Sequence, residues 1–114
     1  MKRTGRHFLV FVTVPNRRVA RKLARAALAQ RAAACANILP GIESHYWWKG
    51  EVESGSELLI IFKTTTARLA DLESVVHSNH PYDTPEFVVA PLDGGSARYL
   101  AWLDDSVRRT GPLT

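Results

Sequence analysis

The chain has 114 residues, a length within the usual range for one domain. Hydrophobic residues make up 46% of it, and no apolar stretch approaches the roughly 18 residues that a membrane-spanning helix needs. The single cysteine, Cys35, excludes an internal disulfide. We therefore expect a soluble protein that is stabilised by packing, with no membrane partner.

The formal net charge of +4 is unevenly distributed along the chain. Residues 1–42 contain nine Lys or Arg and no acidic residue, whereas the remainder contains six basic and eleven acidic residues. Such an asymmetry occurs in proteins that bind nucleic acid, but it is equally typical of a solvated helix face. Because no nucleic-acid-binding motif accompanies it, we expect no specific nucleic-acid partner.

The N-terminus is basic and continues directly into a strand-like apolar run, which is too short to be the core of a signal peptide. We therefore expect a cytoplasmic protein. The sequence as a whole predicts three segments: a basic N-terminal extension at residues 1–7, a single domain at residues 8–109 and a frayed tail at residues 110–114.

The first half of the domain predicts a strand, a helix and a second strand. Residues 8–14 are mainly β-branched and aromatic, and Asn16 follows as a candidate N-cap. Residues 17–31 predict an amphipathic helix with five cations on one arc. Residues 35–48 predict the second strand, with a bulge or an edge position at Pro40 and Gly41.

The chain then reverses at Lys49 and Gly50 and returns as a strand. This strand has a predicted bulge at residues 54–56 and an apolar centre at residues 57–64, which predicts burial on both faces. Thr66 is the candidate cap of a second helix, which ends before Pro81.

Residues 86–91 predict a fourth strand, and Ser96 is the candidate cap of a third helix. Four residues of that helix are predicted to share one face: Tyr99, Leu100, Leu103 and Val107. The order βαββαβ plus a C-terminal helix predicts an α+β, ferredoxin-like split βαβ sandwich. Since the strands are apolar on both faces, we expect another subunit to cover the face without helices.

The chain contains several short motifs: TVP at residues 13–15, AACAN at 33–37, PG at 40–41, YWWKG at 46–50, KTT at 63–65, HPYDTPE at 80–86 and YLAWL at 99–103. In this order and spacing they resemble the motifs of the CutA family, the proteins linked to divalent-cation tolerance. The resemblance covers nearly the whole chain. It implies a tight homotrimer of ferredoxin-like subunits, similar in shape to the PII signalling proteins, with a role in divalent metal tolerance.

One region has the chemistry of a metal site. It contains His77, His80, Asp83 and Glu86. Imidazole suits copper and zinc, although histidines at a helix end before proline also fit a C-terminal cap. Some copper-binding members of the family place a cysteine and a histidine where this chain has Val12 and Asn79, so the resemblance carries over only His80 and Glu86 as ligands. We therefore expect a divalent cation such as copper to be held weakly.

Glu57, Lys63 and Tyr82 are candidates for a cleft between subunits. Glu57 and Lys63 are six residues apart on one strand, so their side chains point to the same face at its opposite ends. They either line a polar cleft or are paired structurally. An alternative function is a PII-like signalling or scaffold trimer that binds a nucleotide, a metabolite or a partner protein, with Lys63 beside the ligand.

No sequence pattern supports an enzyme. Phosphate-loop, dinucleotide, catalytic-serine and zinc-protease motifs are all absent from the sequence. Cys35 has the chemistry of a nucleophile, but its place at the start of an apolar strand favours a buried small side chain. We therefore expect a non-enzymatic binding protein.

Overall fold

The computed structural model describes residues 1–108. In chain order the elements are β1 Lys2–Arg3, β2 His7–Val14, α1 Arg17–Ala29, β3 Cys35–Trp48, β4 Glu51–Thr65, a 3-10 turn Thr66–Arg68, α2 Leu69–Asn79, β5 Val88–Pro91, β6 Gly94–Gly95 and α3 Ala97–Val107. The main sheet has the order β3-β4-β2-β5, and each neighbouring pair is antiparallel. This is the ferredoxin-like split βαβ fold that the sequence predicts. Within the described residues, no helix is both long and apolar enough to cross a bilayer.

Alternate residues of β2 and β4 form the core with α1 and α2. The fully buried side chains include Val10, Val12, Val14, Leu23, Ile60, Phe62, Leu72 and Val76. Burying one Leu, Ile or Phe side chain stabilises the fold by roughly 1.5–3 kcal/mol. Because strand side chains alternate, the odd-numbered residues of β2 and β4 point to the opposite face of the sheet.

That opposite face is apolar but only partly covered. Leu9, Phe11, Leu59 and Ile61 are half-buried, and Leu39 is exposed. Helix α3 covers one end of this face, where its side chains contact the first residue of β2 and the last residues of β4. The remainder of the face has no cover within the described chain. The sequence-based expectation of an apolar, uncovered sheet face is therefore confirmed.

Several local predictions are confirmed. The Asn16 side chain accepts a hydrogen bond from the Val19 amide at 2.9 Å, and this caps α1. Ser96 caps α3 in the same way at 3.2 Å. The register of β3 against β4 shifts between Leu39 and Ile42, at the predicted bulge. Lys49 and Gly50 reverse the chain with positive φ values of 51° and 81°.

Other local predictions are wrong. Residues 54–56 pair with β3 in continuous register, because the one extra residue of this hairpin lies in β3, between Leu39 and Ile42. Thr66 does not cap α2, since it begins the 3-10 turn and α2 starts at Leu69. Tyr99 is exposed and packs against Trp102, with 5.3 Å between ring centroids, rather than sharing the buried face of α3. Within one chain the central strand is fully buried on one face only, so the prediction of burial on both faces depends on the expected neighbouring subunit.

Part of the predicted extension at residues 1–7 lies against the domain. β1 pairs with β6, the Thr4 amide donates to the Asp93 carbonyl at 3.1 Å, and Arg3 forms an ion pair with the Asp93 carboxylate. A Cβ at Gly94 would lie 2.7 Å from the Lys2 carbonyl oxygen, so this close approach of two backbones requires glycine. The tail predicted at residues 110–114 lies outside the described residues.

Candidate functional site

A groove of about 830 Å³ lies between the β3–β4 hairpin and the segment of residues 82–86 that leads to β5. Its acidic lining residues are Glu43, Glu57, Asp83 and Glu86. No Lys or Arg of the described chain is part of this lining. The groove therefore has a negative character and favours a cationic ligand.

Tyr82 and Glu57 connect the two walls of the groove. The Tyr82 hydroxyl donates a hydrogen bond to Glu57 Oε2 at 2.7 Å. Partial burial and the neighbouring Glu57 carboxylate raise the pKa of Tyr82 well above its usual range. Tyr82 is therefore a neutral donor that holds the Glu57 carboxylate in place.

Glu86 lies in the same groove as Glu57. Partial burial, followed by the negative charge of Glu57, raises the pKa of Glu86 above its ordinary value. Both effects disfavour the ionised form, because the Glu86 carboxylate is partly desolvated and lies near a like charge. A cation bound to these carboxylates would reverse the shift.

His80 fixes the segment that carries Tyr82. Its Nε2–H donates to the Thr13 carbonyl at 2.8 Å, and its Nδ1 accepts from the Tyr82 amide at 3.1 Å. The His80 ring also packs against the Tyr82 ring, with 4.6 Å between centroids. Both ring nitrogens are thus engaged within the chain, and His80 would have to give up one of these hydrogen bonds to bind a metal ion.

Lys63 lies outside the groove. It shares a face of β4 with Glu57 but is about 20 Å further along the strand, by the rise of roughly 3.3 Å per residue. Its ammonium donates to Asn37 Oδ1 at 3.2 Å and lies 5.7 Å from the centroid of the Tyr99 ring. Cys35 is only half-buried in this chain, which corrects the expectation of burial, and its thiol lies 3.5 Å from the same Asn37 oxygen.

The wall formed by the hairpin was not identified from the sequence as part of a ligand site. Glu43 and His45 form a pair at 2.7 Å between Oε2 and Nε2, and both line the groove. Trp47 also lines it and is 74% exposed. These three residues have the two-residue spacing that places strand side chains on one face, which is the signal that could have grouped them.

A second polar cluster lies at the other end of β2. His7 is only 3% exposed, and its Nε2–H donates to Asp104 Oδ1 at 2.7 Å. Arg6 donates to the second oxygen of Asp104 at 2.7 Å, and Thr4 forms a hydrogen bond with His7 Nδ1. Partial burial acts to raise the pKa of Asp104, but the hydrogen bonds from His7 and Arg6 outweigh it, and the pKa lies below its ordinary value. This cluster attaches α3 to the sheet.

Comparison with known proteins places the chain in a family. Residues 8–106 match the family described as CutA1 divalent ion tolerance protein. The chain belongs to this family. The crystal structure of CutA1 from Oryza sativa superimposes with a TM-score of 0.88 at 44% identity, covering 94% of this chain and 98% of that one. The family resemblance predicted from the sequence is therefore confirmed.

Curated CutA proteins of bacteria and plants are similar in sequence. The chain is 45% identical to the divalent-cation tolerance protein CutA of Thermus thermophilus, covering 86% of this chain and 95% of that protein. It is 50% identical to the chloroplastic protein CutA of Arabidopsis thaliana, covering 88% of this chain. The chain spans 55% of the length of that plant relative and 58% of the length of the Oryza sativa one.

The groove offers oxygen ligands, which suit hard divalent cations. Glu57 and Glu86 supply carboxylates, whereas copper prefers thiolate and imidazole. Among the described residues that line the groove, His45 carries an imidazole, and its Nε2 is paired with Glu43. Within residues 1–108, no group of three or more His, Cys, Asp or Glu side chains is arranged to hold a metal ion. A cation bound in the groove would therefore take only part of its coordination shell from these residues.

Proposed function

We propose that this protein acts in divalent-cation tolerance by binding a divalent cation weakly in the groove beside Glu57 and Glu86, without an enzymatic step. The observation that carries this proposal is the pair of carboxylates in a groove without lining Lys or Arg, where the pKa of Glu86 is raised by partial burial and by Glu57. Ionised ligands held near one another favour a bound cation, since its charge offsets their repulsion.

Glu86 is the proposed ligand that the groove supports best. His80 is proposed as a ligand only for a copper-like cation, because imidazole binding would compete with a hydrogen bond to Thr13 or Tyr82. Water or a neighbouring subunit would complete the coordination. The weak binding that the sequence suggests thus has a physical reason, since few ligands come from one chain.

We also propose that the protein is a homotrimer and that the groove lies in a cleft between subunits. The support is the half-buried apolar sheet face, together with the exposed aromatic residues of the hairpin. Light scattering should report three times the chain mass of 12.7 kDa at micromolar concentration. A monomer at that concentration would contradict this part of the proposal. We propose a cytoplasmic location, although the two plant relatives are named as chloroplastic.

A PII-like nucleotide sensor is a weaker candidate. Phosphate groups in the groove would lie close to the carboxylates of Glu57 and Glu86, which repel them. Lys63, the cation expected beside a nucleotide, contacts Asn37 and the Tyr99 ring instead. The hairpin turn consists only of Lys49 and Gly50, which leaves no long loop there to report a bound ligand. We therefore do not propose this function.

Calorimetric titration of the metal-free protein with Mn²⁺ and Cu²⁺ tests the proposal. The double variant Glu57→Gln with Glu86→Gln should weaken Mn²⁺ binding at least about tenfold, because both carboxylate ligands are removed. The double variant Glu51→Gln with Glu53→Gln is the matched control, since it removes two charges from the same strand outside the groove lining. His80→Ala should weaken Cu²⁺ binding more than Mn²⁺ binding, because it removes an imidazole ligand that copper prefers. Equal Mn²⁺ affinity in the two double variants would overturn the proposed site.

A further inference from the structure

Helix α1 presents a basic surface that the described chain does not neutralise. The exposed cations on it are Arg17, Arg18, Arg21, Lys22 and Arg25. Their side chains form no ion pair or hydrogen bond with any residue in positions 1–108. By contrast, the arginines that contact acidic residues elsewhere are Arg3, Arg6, Arg68 and Arg108. The charge on α1 is therefore available to an external partner.

The geometry of the helix concentrates this charge. Residues 17 to 25 span about 12 Å of helix axis, and at 3.6 residues per turn the five cations share an arc of about 140°. Leu28 lies within the same arc and is 43% exposed, which makes it an apolar side chain among the cations. The apolar side of α1, including Val19, Leu23 and Ala27, is buried in the core. Only the basic side can therefore meet a partner.

We propose that this basic surface binds reversibly to an anionic lipid surface, which departs from the expectation of no membrane partner drawn from the sequence. On a flat array of negative headgroups, all five long side chains can lie within one Debye length, about 10 Å, of an anionic group. Each Lys or Arg held near such a surface strengthens binding roughly fivefold. Reversibility follows because the apolar side of α1 is committed to the core and cannot insert into the bilayer.

The composition of α1 favours lipid over nucleic acid. Helix α1 contains no aromatic residue that could stack on an unpaired base, and a phosphate backbone offers nothing to the exposed Leu28 side chain. The interfacial region of a bilayer does accept an apolar side chain surrounded by cations. The inference is independent of the groove, because no residue of α1 lines it.

Flotation of the 114-residue chain with vesicles tests this surface. Phosphatidylcholine vesicles that contain about 30% phosphatidylserine supply an anionic surface, and pure phosphatidylcholine is the neutral reference. We expect binding only to the anionic vesicles, with a strong loss between about 0.05 M and about 0.5 M salt. The variant Arg21→Gln with Arg25→Gln should weaken it about 25-fold. Lys2→Gln with Arg98→Gln is the control, since it removes two unpaired charges elsewhere and should have a much smaller effect.

A second variant separates lipid from nucleic acid. Leu28→Gln should weaken vesicle binding roughly fivefold, because a half-exposed leucine loses its contact with the interface. The inference would be overturned by equal vesicle binding of the two charge variants, or by the absence of binding to anionic vesicles at low salt. Tighter binding to duplex DNA than to anionic vesicles at the same salt would also overturn it and assign the surface to nucleic acid.

Discussion

Asp104 and Glu86 are carboxylates near opposite ends of the β2 strand, and the fold moves their pKa values in opposite directions. Asp104 accepts hydrogen bonds from His7 and Arg6, and its pKa is lowered despite partial burial. Glu86 is partly buried near the like charge of Glu57, and its pKa is raised. The ionised form of Asp104 is stabilised by partners inside the chain. The ionised form of Glu86 is destabilised by its surroundings, and a bound cation would stabilise it.

A carboxylate can stabilise the fold or bind a ligand, and the direction of its pKa shift helps to distinguish the two roles. A carboxylate whose charge is satisfied by hydrogen-bonded partners stabilises the fold, and its shift needs no ligand to explain it. A carboxylate held near a like charge costs stability, and such an arrangement is typical of a binding site. On this reasoning the Asp104 cluster is structural, and we propose the Glu57–Glu86 groove as the functional site.

The largest expected effect is a loss of stability when Asp104 is replaced. Asp104→Ala should reduce the free energy of unfolding by about 1–3 kcal/mol, because it leaves the buried Nε2–H of His7 without an acceptor. Asp105→Ala is the control, since Asp105 contacts Arg108 at the surface and should change stability by less than about 0.5 kcal/mol. Denaturant unfolding at equal protein concentration measures both. Equal effects at the two positions would show that the Asp104 cluster is not structural.

The difference between wild type and Asp104→Ala should also depend on pH. A carboxylate whose pKa is lowered in the native state contributes stability above its unfolded pKa and loses it as the pH falls through the folded pKa. The difference in free energy of unfolding between wild type and Asp104→Ala should therefore become smaller as the pH falls. A gap that stays constant from neutral pH to below the pKa of Asp104 would mean that its ionised form is not what stabilises the contact.

Glu86→Gln should have a smaller effect of the opposite sign. Because the native pKa of Glu86 is raised, the stability linked to it is present at low pH and is lost as the pH rises through that pKa. Removing the charge should therefore raise the Tm slightly at neutral pH while weakening cation binding. The gain should disappear in acid. A lower Tm of Glu86→Gln at neutral pH would show that Glu86 has a stabilising partner, as Asp104 does, and would contradict the contrast between the two carboxylates.

Local signals in the sequence predicted much of the fold because they act over a few residues. Asn16 and Ser96 cap helices through contacts three residues away, and Pro40 with Gly41 disrupts the register of its own strand. The prediction at Thr66 failed because a 3-10 turn precedes α2, so Thr66 lies inside that turn and not at the start of the helix. Tyr99 was assigned to the wrong face because helical spacing does not show how far the buried face extends.

The site was harder to predict because its contacts join distant segments. Tyr82 and Glu57 were both candidates, but their hydrogen bond crosses 25 residues, and sequence spacing does not specify it. Lys63 was grouped with them by strand alternation, which gives the face of a side chain and not which neighbours reach it. The contact between His7 and Asp104 spans 97 residues and had no sequence signal at all.

The pKa of Glu86, measured by NMR titration of its side-chain carboxyl group with and without Mg²⁺, tests the central claim most directly. In the metal-free protein this pKa should lie above its ordinary value, and saturating Mg²⁺ should lower it, because a bound cation favours the ionised carboxylate. Asp104 should show no comparable change, since its partners are His7 and Arg6. A raised pKa of Glu86 that is indifferent to Mg²⁺ would contradict cation binding in the groove.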